Sequence, residues 1–196
     1  MMFPFEYPSE PHQRRHGPKG YADAASYSPW LRDEFSFRCV YCLKRETWTI
    51  RKGEFVVEHF VAQKWAPQRA LEYDNLLYAC QGCNLAKADQ RVPDPLKYLL
   101  LNSVTVALDG TIRAKTAEAR RLVQRLGLND PVYCEYRRLI VDIVALASVA
   151  DPALLRRLMA IPSDLPDLTS LRPPKGNSRP TGIANSFFAK ARSEKK

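Results

Sequence analysis

The chain has 196 residues, 45% of them apolar, which is enough for one domain with extensions around a hydrophobic core. Its formal net charge of +9 favours a polyanionic partner, with nucleic acid first and an anionic membrane surface second. No signal peptide is apparent, and the most apolar later run, residues 139–150, contains Asp142 and is too short to span a bilayer. We therefore expect a soluble cytoplasmic protein that does not act in a membrane.

The chain begins with an irregular arm, residues 1–25, that is rich in Pro, Gly and charged residues. A short helix follows in "YSPWLRDEF", where Pro29 suits the first turn. Within the arm, His16 is expected to be a solvated loop residue. Three basic residues of the arm are candidates for phosphate contacts: Arg14, Arg15 and Lys19.

Two identical cysteine pairs, "CVYC" and "CQGC", are separated by 37 residues. The two-residue spacer of each CxxC knuckle lets one tight turn aim both sulfurs at a tetrahedral ion, so the pattern predicts a four-thiolate zinc site. The alternatives are a pair of redox CxxC motifs or cysteines that are buried by chance. The fifth cysteine, Cys134, lies in an apolar helical pattern and is expected to be an inert core thiol. The predicted zinc ligands are Cys39, Cys42, Cys80 and Cys83.

Strands are predicted around the first knuckle. "FRCVYC" is expected to be a strand that ends in it, and "TWTI" and "EFVVEHFV" are expected to pair as a hairpin around "RKGE". In the last of these strands, Glu58 and His59 occupy positions that would suit further valine in a core strand. The second knuckle is expected to continue as a helix through "NLAKADQ", which "VPDP" ends.

The second half changes in character. Alternating apolar residues on both sides of Asp109-Gly110 predict a hairpin, and helices are predicted from Thr116, Asp130 and Asp151. The Pro-rich end carries +6 of the net charge from residue 172 onward and is expected to be a flexible tail, with its last 14 residues either helical or unstructured. The predicted regions are an arm with a short helix (1–36), a zinc-stabilised core (37–100), a hairpin with helices (101–164) and a basic tail (165–196).

The loop closed by the two knuckles, together with the helix that follows it, contains an acid, a histidine, two asparagines and a lysine. Glu58 and His59 lie within it, Asn75 lies just ahead of the second knuckle, and Asn84 and Lys87 follow one helical turn apart. Carboxylate and amide oxygens can bind a hard divalent cation, and histidine is the usual base near neutral pH, so this set suits hydrolysis of a phosphodiester. The alternatives are a strand-edge acid for Glu58 and a core histidine for His59. For Asn75 the alternative is an Asx turn, and for Lys87 it is a solvated helix residue.

The order E-H, N and C-x-x-C-N-x-x-K over residues 37–89 resembles the HNH endonucleases, whose two-strand-and-helix metal fold is often stabilised by zinc on two CxxC knuckles. The resemblance implies an α+β protein built on a ββα-metal core. It implies that His59 is the general base that activates water and that Asn75 orients it. The third position of the HNH motif falls on Asn84 in this sequence, where the family more usually has His.

The same resemblance assigns the remaining polar residues. It implies that Glu58, where the family usually has Asp or His, and Asn84 are ligands of a catalytic magnesium or manganese ion. Lys87 would stabilise the transition state or contact a neighbouring phosphate. Trp48 and Trp65 are expected to pack around the zinc module and to have no part in the chemistry.

The function expected from this resemblance is that of a metal-dependent DNA endonuclease, acting either as a bacterial defence or restriction effector or in mobile-element or repair work. The second half resembles, more weakly, the C-terminal part of HNH proteins of antiphage defence modules, including those paired with an ATPase, which implies helices that bind a partner protein or shape the substrate groove. The alternative for those helices is a cap that completes a small core. Two other functions stay open: a non-catalytic zinc module that binds nucleic acid, and a toxin-type nuclease that cleaves RNA.

Overall fold

The computed structural model describes residues 3–49 and 53–193, and in these ranges the protein is α+β, with eight α-helices and two antiparallel two-stranded sheets. The strands are β1 (Phe55–His59), β2 (Leu76–Cys80), β3 (Val104–Val106) and β4 (Ile112–Ala114). The helices are α1 (Ser28–Glu34), α2 (Gln81–Lys87), α3 (Pro95–Tyr98), α4 (Ala117–Arg125), α5 (Pro131–Ala150), α6 (Pro152–Met159), α7 (Thr181–Ala184) and α8 (Phe187–Ser193). None of the helices in this part of the chain is both long enough and apolar enough to cross a membrane.

The first sheet positions the polar residues of the knuckle-closed loop. β1 pairs with β2, so that Phe55 lies opposite Cys80 and His59 lies opposite Leu76. β2 is buried along its whole length, whereas only Glu58 is fully buried in β1. Successive side chains of a strand point to opposite faces, so Glu58 and His59 face opposite ways. α2 begins directly after β2, which places the second knuckle at the strand–helix junction.

Two of the strand predictions near the first knuckle are wrong. Only an isolated bridge between Arg38 and Arg45 forms there, because the chain turns back at once: Leu43, just after the knuckle, has a φ of 60°. Trp48 belongs to a short 3₁₀ turn, Glu46–Trp48, so the partner of β1 is β2 and not "TWTI". Residues 50–52 of the predicted hairpin lie outside the described residues.

The hairpin and helices predicted for the second half are confirmed. β3 pairs with β4 around Gly110, whose φ of 82° is the left-handed conformation that the turn requires. The side chain of Thr116 accepts a hydrogen bond from the Ala119 backbone N–H at 3.3 Å and so caps α4. The buried Arg137 of α5 donates to the Gly110 carbonyl, at 2.5 Å, which fixes the hairpin to the helices.

The core consists of two groups of buried residues. The larger one joins the four knuckle cysteines to apolar residues of the arm, β3, β4, α4 and α5, so the zinc-binding region and the helical region share one core. This sharing is what the interpretation of the helices as a completing cap predicts. The smaller group packs α1 against β2 and the C-terminal segment, and its buried members are Tyr27, Trp30, Leu31, Tyr73, Leu76, Tyr78 and Leu168.

The arm lies against the C-terminal segment. Pro18 and Asn177 form a bridge, and a guanidinium nitrogen of Arg179 donates to the His16 carbonyl at 2.9 Å. His16 itself is buried, with its Nε2 atom 2.8 Å from the Asp33 carboxylate, so the prediction of a solvated residue is wrong. The last 14 residues were expected to be either helical or unstructured, and within them Phe187–Ser193 forms the helix α8. The predicted flexibility of residues 165–196 stays a prediction.

Candidate metal centre and hydrolytic site

The four knuckle cysteines form one compact cluster. Their Sγ atoms all lie within 4.8 Å of one another, and all four residues are buried. The Sγ atoms of Cys42 and Cys80 are 3.7 Å apart. Four thiolates placed at about 2.3 Å from a tetrahedral zinc ion are about 3.8 Å from one another, so the cluster has the dimensions of a zinc site. It can therefore bind a metal such as zinc, and two separate redox pairs would not bring all four sulfurs together.

The local backbone explains how the sulfurs meet. The first knuckle is a tight turn in which the Leu43 N–H donates to the Cys39 carbonyl at 3.0 Å, and the Val40 N–H ties this turn to Tyr78 of β2 at 3.0 Å. Burial, more than the neighbouring thiols, raises the pKa of the Cys39 thiol well above its usual range. A thiolate at this depth therefore needs a cation, and metal binding would release protons from the cluster.

His59 lies half-buried at the end of β1, with its ring tied to the connection that follows. The ring Nε2 atom is 3.0 Å from the Ala70 carbonyl oxygen. Because a carbonyl can only accept, this contact requires the proton on Nε2 and leaves a lone pair on Nδ1. The Gln63 amide is also 3.0 Å from Nε2, and a half-turn of this exposed amide presents its oxygen to the same N–H. The arrangement holds the tautomer and ring orientation that a general base needs.

Asn75 is fully buried and holds the connection after β1 rather than the ring of His59. Its Oδ1 atom accepts from the Val61 N–H at 2.9 Å, and its Nδ2 donates to the carbonyls of Val61 and Arg69, each at 3.1 Å. These bonds join both ends of the connection, and Arg69 is the neighbour of Ala70. Asn75 therefore makes no hydrogen bond to the His59 ring, and its amide bonds across the loop rather than within an Asx turn.

Glu58 and Lys87 form a buried ion pair behind His59. Glu58 Oε1 lies 2.5 Å from Lys87 Nζ, and Glu58 Oε2 accepts from the Tyr41 hydroxyl at 2.8 Å. The same ammonium donates to the backbone carbonyl of His59 at 2.8 Å. Glu58 is 2% exposed and Lys87 is 0% exposed, so the alternative of a solvated Lys87 is wrong. Both carboxylate oxygens of Glu58 are already engaged by the protein.

Asn84, the other predicted ligand of a catalytic cation, is half-buried on α2, one turn before Lys87. A cation held by Asn84 and Glu58 would have to share or replace the contacts that Glu58 makes with Lys87 and Tyr41. Residues 3–49 and 53–193 contain no second group of three or more His, Cys, Asp or Glu placed to hold a metal. A site with only two protein ligands is still compatible with Mg²⁺, which usually keeps several of its waters.

The two tryptophans that were expected to pack around the zinc module differ in their burial. Trp48 packs partly buried against the larger core, and its Nε1 donates to the Leu158 carbonyl at 2.7 Å, as the prediction of a packing role implies. Trp65 is 48% exposed, so the prediction that it packs around the zinc module is wrong. Sequence reasoning also missed Tyr41 and Gln63. The one available signal was spacing, because Tyr41 lies inside the first knuckle and Gln63 lies four residues after His59.

Comparisons of the chain with protein-family models, with curated proteins and with solved structures gave no match. The chemistry of the site consists of a four-cysteine cluster that can bind zinc, a histidine held through one ring nitrogen, and a buried acid–lysine pair behind it.

Proposed function

We propose that this protein is a metal-dependent endonuclease of the HNH type, which hydrolyses phosphodiester bonds in DNA with His59 as the general base. The observation that carries the proposal is the 3.0 Å contact between His59 Nε2 and the Ala70 carbonyl, which leaves the Nδ1 lone pair for a water molecule. The histidine lies on a strand–strand–helix unit whose loop is closed by the cysteine cluster, the arrangement that the HNH resemblance implies.

The chain's own residues supply the following chemistry. His59 Nδ1 takes a proton from water, while the Nε2–H bond to Ala70 keeps the ring from turning away. Lys87 fixes the end of β1 through the His59 carbonyl. Asn84 and the carboxylate of Glu58 are the hard oxygen donors that suit Mg²⁺ or Mn²⁺, which when bound would neutralise charge on the phosphate.

The net charge supports a nucleic-acid substrate. At +9 the chain is attracted to a polyanion, and +6 of this excess lies in the C-terminal segment from residue 172 onward. As part of the same proposal, the protein acts in bacterial defence, and the exposed apolar residues of α5 bind a partner protein, for which an ATPase is the candidate. The residues of that surface are Val132, Leu139, Leu146 and Val149.

A second function, a zinc module that binds nucleic acid without cleaving it, is favoured by one observation. Both oxygens of Glu58 are held by Lys87 and Tyr41, which leaves Asn84 as the remaining predicted ligand of a catalytic cation. Cleavage and binding therefore have to be measured separately. An RNA-cleaving nuclease is separated from a DNA-cleaving one by matched substrates of the same sequence.

The test compares cleavage of plasmid DNA and of matched RNA by the wild type, His59→Ala and Gln68→Ala, with Mg²⁺ or Mn²⁺ and with zinc content measured on each protein. Gln68 is exposed on the same connection and serves as the matched control. We expect the wild type and Gln68→Ala to cut, and His59→Ala to bind zinc equally and lose cutting by at least about a hundredfold, the usual contribution of a general base. Equal cutting by all three proteins would overturn the role of His59. Binding without cutting by any of them would favour the non-catalytic module.

A further inference from the structure

An exposed tryptophan lies in the connection that holds His59. Trp65 is two residues after Gln63, whose amide contacts the His59 ring at 3.0 Å. The indole is 48% exposed, yet its Nε1 donates to the Asp89 carbonyl just beyond α2 at 2.8 Å. The Trp65 backbone N–H is also bonded, to the Ala62 carbonyl at 2.8 Å. The ring is therefore both open to solvent and fixed in place.

Two cations flank this ring. Lys64 Nζ and Arg91 Cζ each lie 5.0 Å from the ring centroid. One acid is present as well, because Lys64 Nζ pairs with the Asp89 carboxylate at 2.8 Å, so the three charged side chains together carry a net positive charge. Lys64, Asp89 and Arg91 are all exposed, which leaves the cations free to move to a ligand.

A fixed aromatic ring flanked by mobile cations is the arrangement that binds single-stranded nucleic acid: the ring stacks on a base and the cations contact phosphates. Stacking of a base on an aromatic ring is stronger than an exposed cation–π contact, so a base can displace either cation from the ring. In a duplex the faces of the bases are already stacked on one another. Only an unpaired base can therefore use this ring.

We propose that Trp65, Lys64 and Arg91 form a subsite that stacks an unpaired base of the strand whose backbone lies at His59. The substrate class is then nucleic acid with single-stranded or locally unpaired segments. This inference rests on the proposed function, because Trp65 belongs to the connection between β1 and β2 that holds the candidate base His59. It goes beyond that function by naming the form of nucleic acid that is recognised.

The test measures binding in a His59→Ala background, so that cleavage does not interfere. The probes are three fluorescein-labelled DNAs: a mixed-sequence single strand, a strand of the same length with abasic positions throughout, and the corresponding duplex. Trp65→Ala and Trp65→Phe are compared with Leu108→Ala, which removes an exposed apolar side chain from the distant β3–β4 turn. Zinc content and circular dichroism establish that each variant is folded.

We expect Trp65→Ala to weaken binding of the base-containing single strand about tenfold or more, the usual effect of losing one stacked base, and to leave binding of the abasic strand unchanged. Trp65→Phe should retain most of the affinity, and Leu108→Ala all of it. The single strand should also quench tryptophan fluorescence in the Trp65-containing protein and not in Trp65→Phe. The charge variants Lys64→Gln and Arg91→Gln should weaken both strands and lower the salt dependence of binding.

Equal loss of affinity for the abasic strand and the single strand in Trp65→Ala would overturn the subsite, since the ring would then only support the loop. Duplex binding as tight as single-strand binding and equally sensitive to Trp65 would overturn it as well. If the wild type cuts nothing while Trp65 still separates base-containing from abasic DNA, the subsite holds and the nuclease proposal fails. If the wild type cuts and Trp65 has no effect, the nuclease proposal holds and the subsite fails.

Discussion

The Lys87 ammonium lies 2.5 Å from the Glu58 carboxylate, with both side chains withdrawn from solvent, and the same ammonium holds the backbone carbonyl of His59. The pair thus ties α2 to the strand that carries the candidate base. In a buried pair of this kind the loss of one partner costs more than the pair contributes, because the remaining charge is left without compensation.

We expect Lys87→Met to lower the free energy of unfolding by about 3–5 kcal/mol, because it leaves the buried Glu58 carboxylate unpaired. Urea unfolding of the zinc-loaded protein measures this. Adding Glu58→Gln to Lys87→Met should recover part of the loss, since the amide carries no charge to compensate. A Lys87→Met protein as stable as the wild type would show that the pair does not form in solution.

Asn75 makes three hydrogen bonds from a buried amide, and all three end on the connection that contains Ala70. We expect Asn75→Ala to destabilise the protein by about 2 kcal/mol or more, because buried backbone groups lose their partners. It should also reduce cleavage at a temperature at which the variant is fully folded, since the Ala70 carbonyl no longer holds His59 in place. Asn185→Ala, an exposed asparagine, is the control and should change neither property. Cleavage at the wild-type rate by folded Asn75→Ala would refute the positioning role.

Removal of metal should unfold the region around the knuckles. The four cysteines are buried members of the larger core. Without a metal they no longer link the two knuckles, and the core loses that crosslink. We expect one zinc per chain by elemental analysis, and a strong chelator should remove it together with most of the near-UV circular dichroism. Cys134→Ser should keep the zinc, because that cysteine lies on α5 and outside the cluster. Full retention of structure without zinc would mean that the fold does not depend on the metal.

The carboxyl of Glu34 gives the protein a defined acid sensitivity. Burial acts to raise its pKa, but hydrogen bonds from His12 and the Arg15 N–H, with the charges of His12 and Arg14, lower the pKa from its usual 4.5 to about 2. Because the unfolded chain takes up a proton first, the resulting stability is fully present above about pH 4.5 and is lost as the pH falls towards 2.

The loss amounts to on the order of 3 kcal/mol over that window. Glu34→Gln should show a shallower fall of unfolding free energy from pH 5 to pH 3 than the wild type, measured by urea unfolding at each pH. Parallel pH profiles would mean that Glu34 does not carry this effect.

The parts of the fold that sequence could predict are those specified locally. The Asp109-Gly110 turn, the Thr116 cap and the twin CxxC spacing each depend on a few neighbouring residues, and each is found where it was expected. The pairing of β1 depended on tertiary structure, because its partner lies across a 16-residue connection that the cysteine cluster closes.

The same limit applies to the candidate site. Glu58 could be marked as a residue out of place in a strand, but its pairing with Lys87 and Tyr41 requires α2 and the first knuckle to pack on the same face of the sheet. His16 looked like a solvated residue because its partner, Asp33, lies on α1 and is brought to it only by the folded arm. Charge and composition carry no information on such long-range pairs.

In the C-terminal segment, residues 165–196, the composition and the structure lead to different expectations. Its composition predicts a flexible tail, yet Leu168 is fully buried against Tyr27 and Trp30. We expect Leu168→Ala to lower the free energy of unfolding by about 2–5 kcal/mol, because it opens a cavity in a packed group of aromatic rings. The matched control is Leu108→Ala, at 72% exposure, which should have almost no effect. If both substitutions prove equally harmless, the segment is not docked in solution and the prediction of a flexible tail is correct.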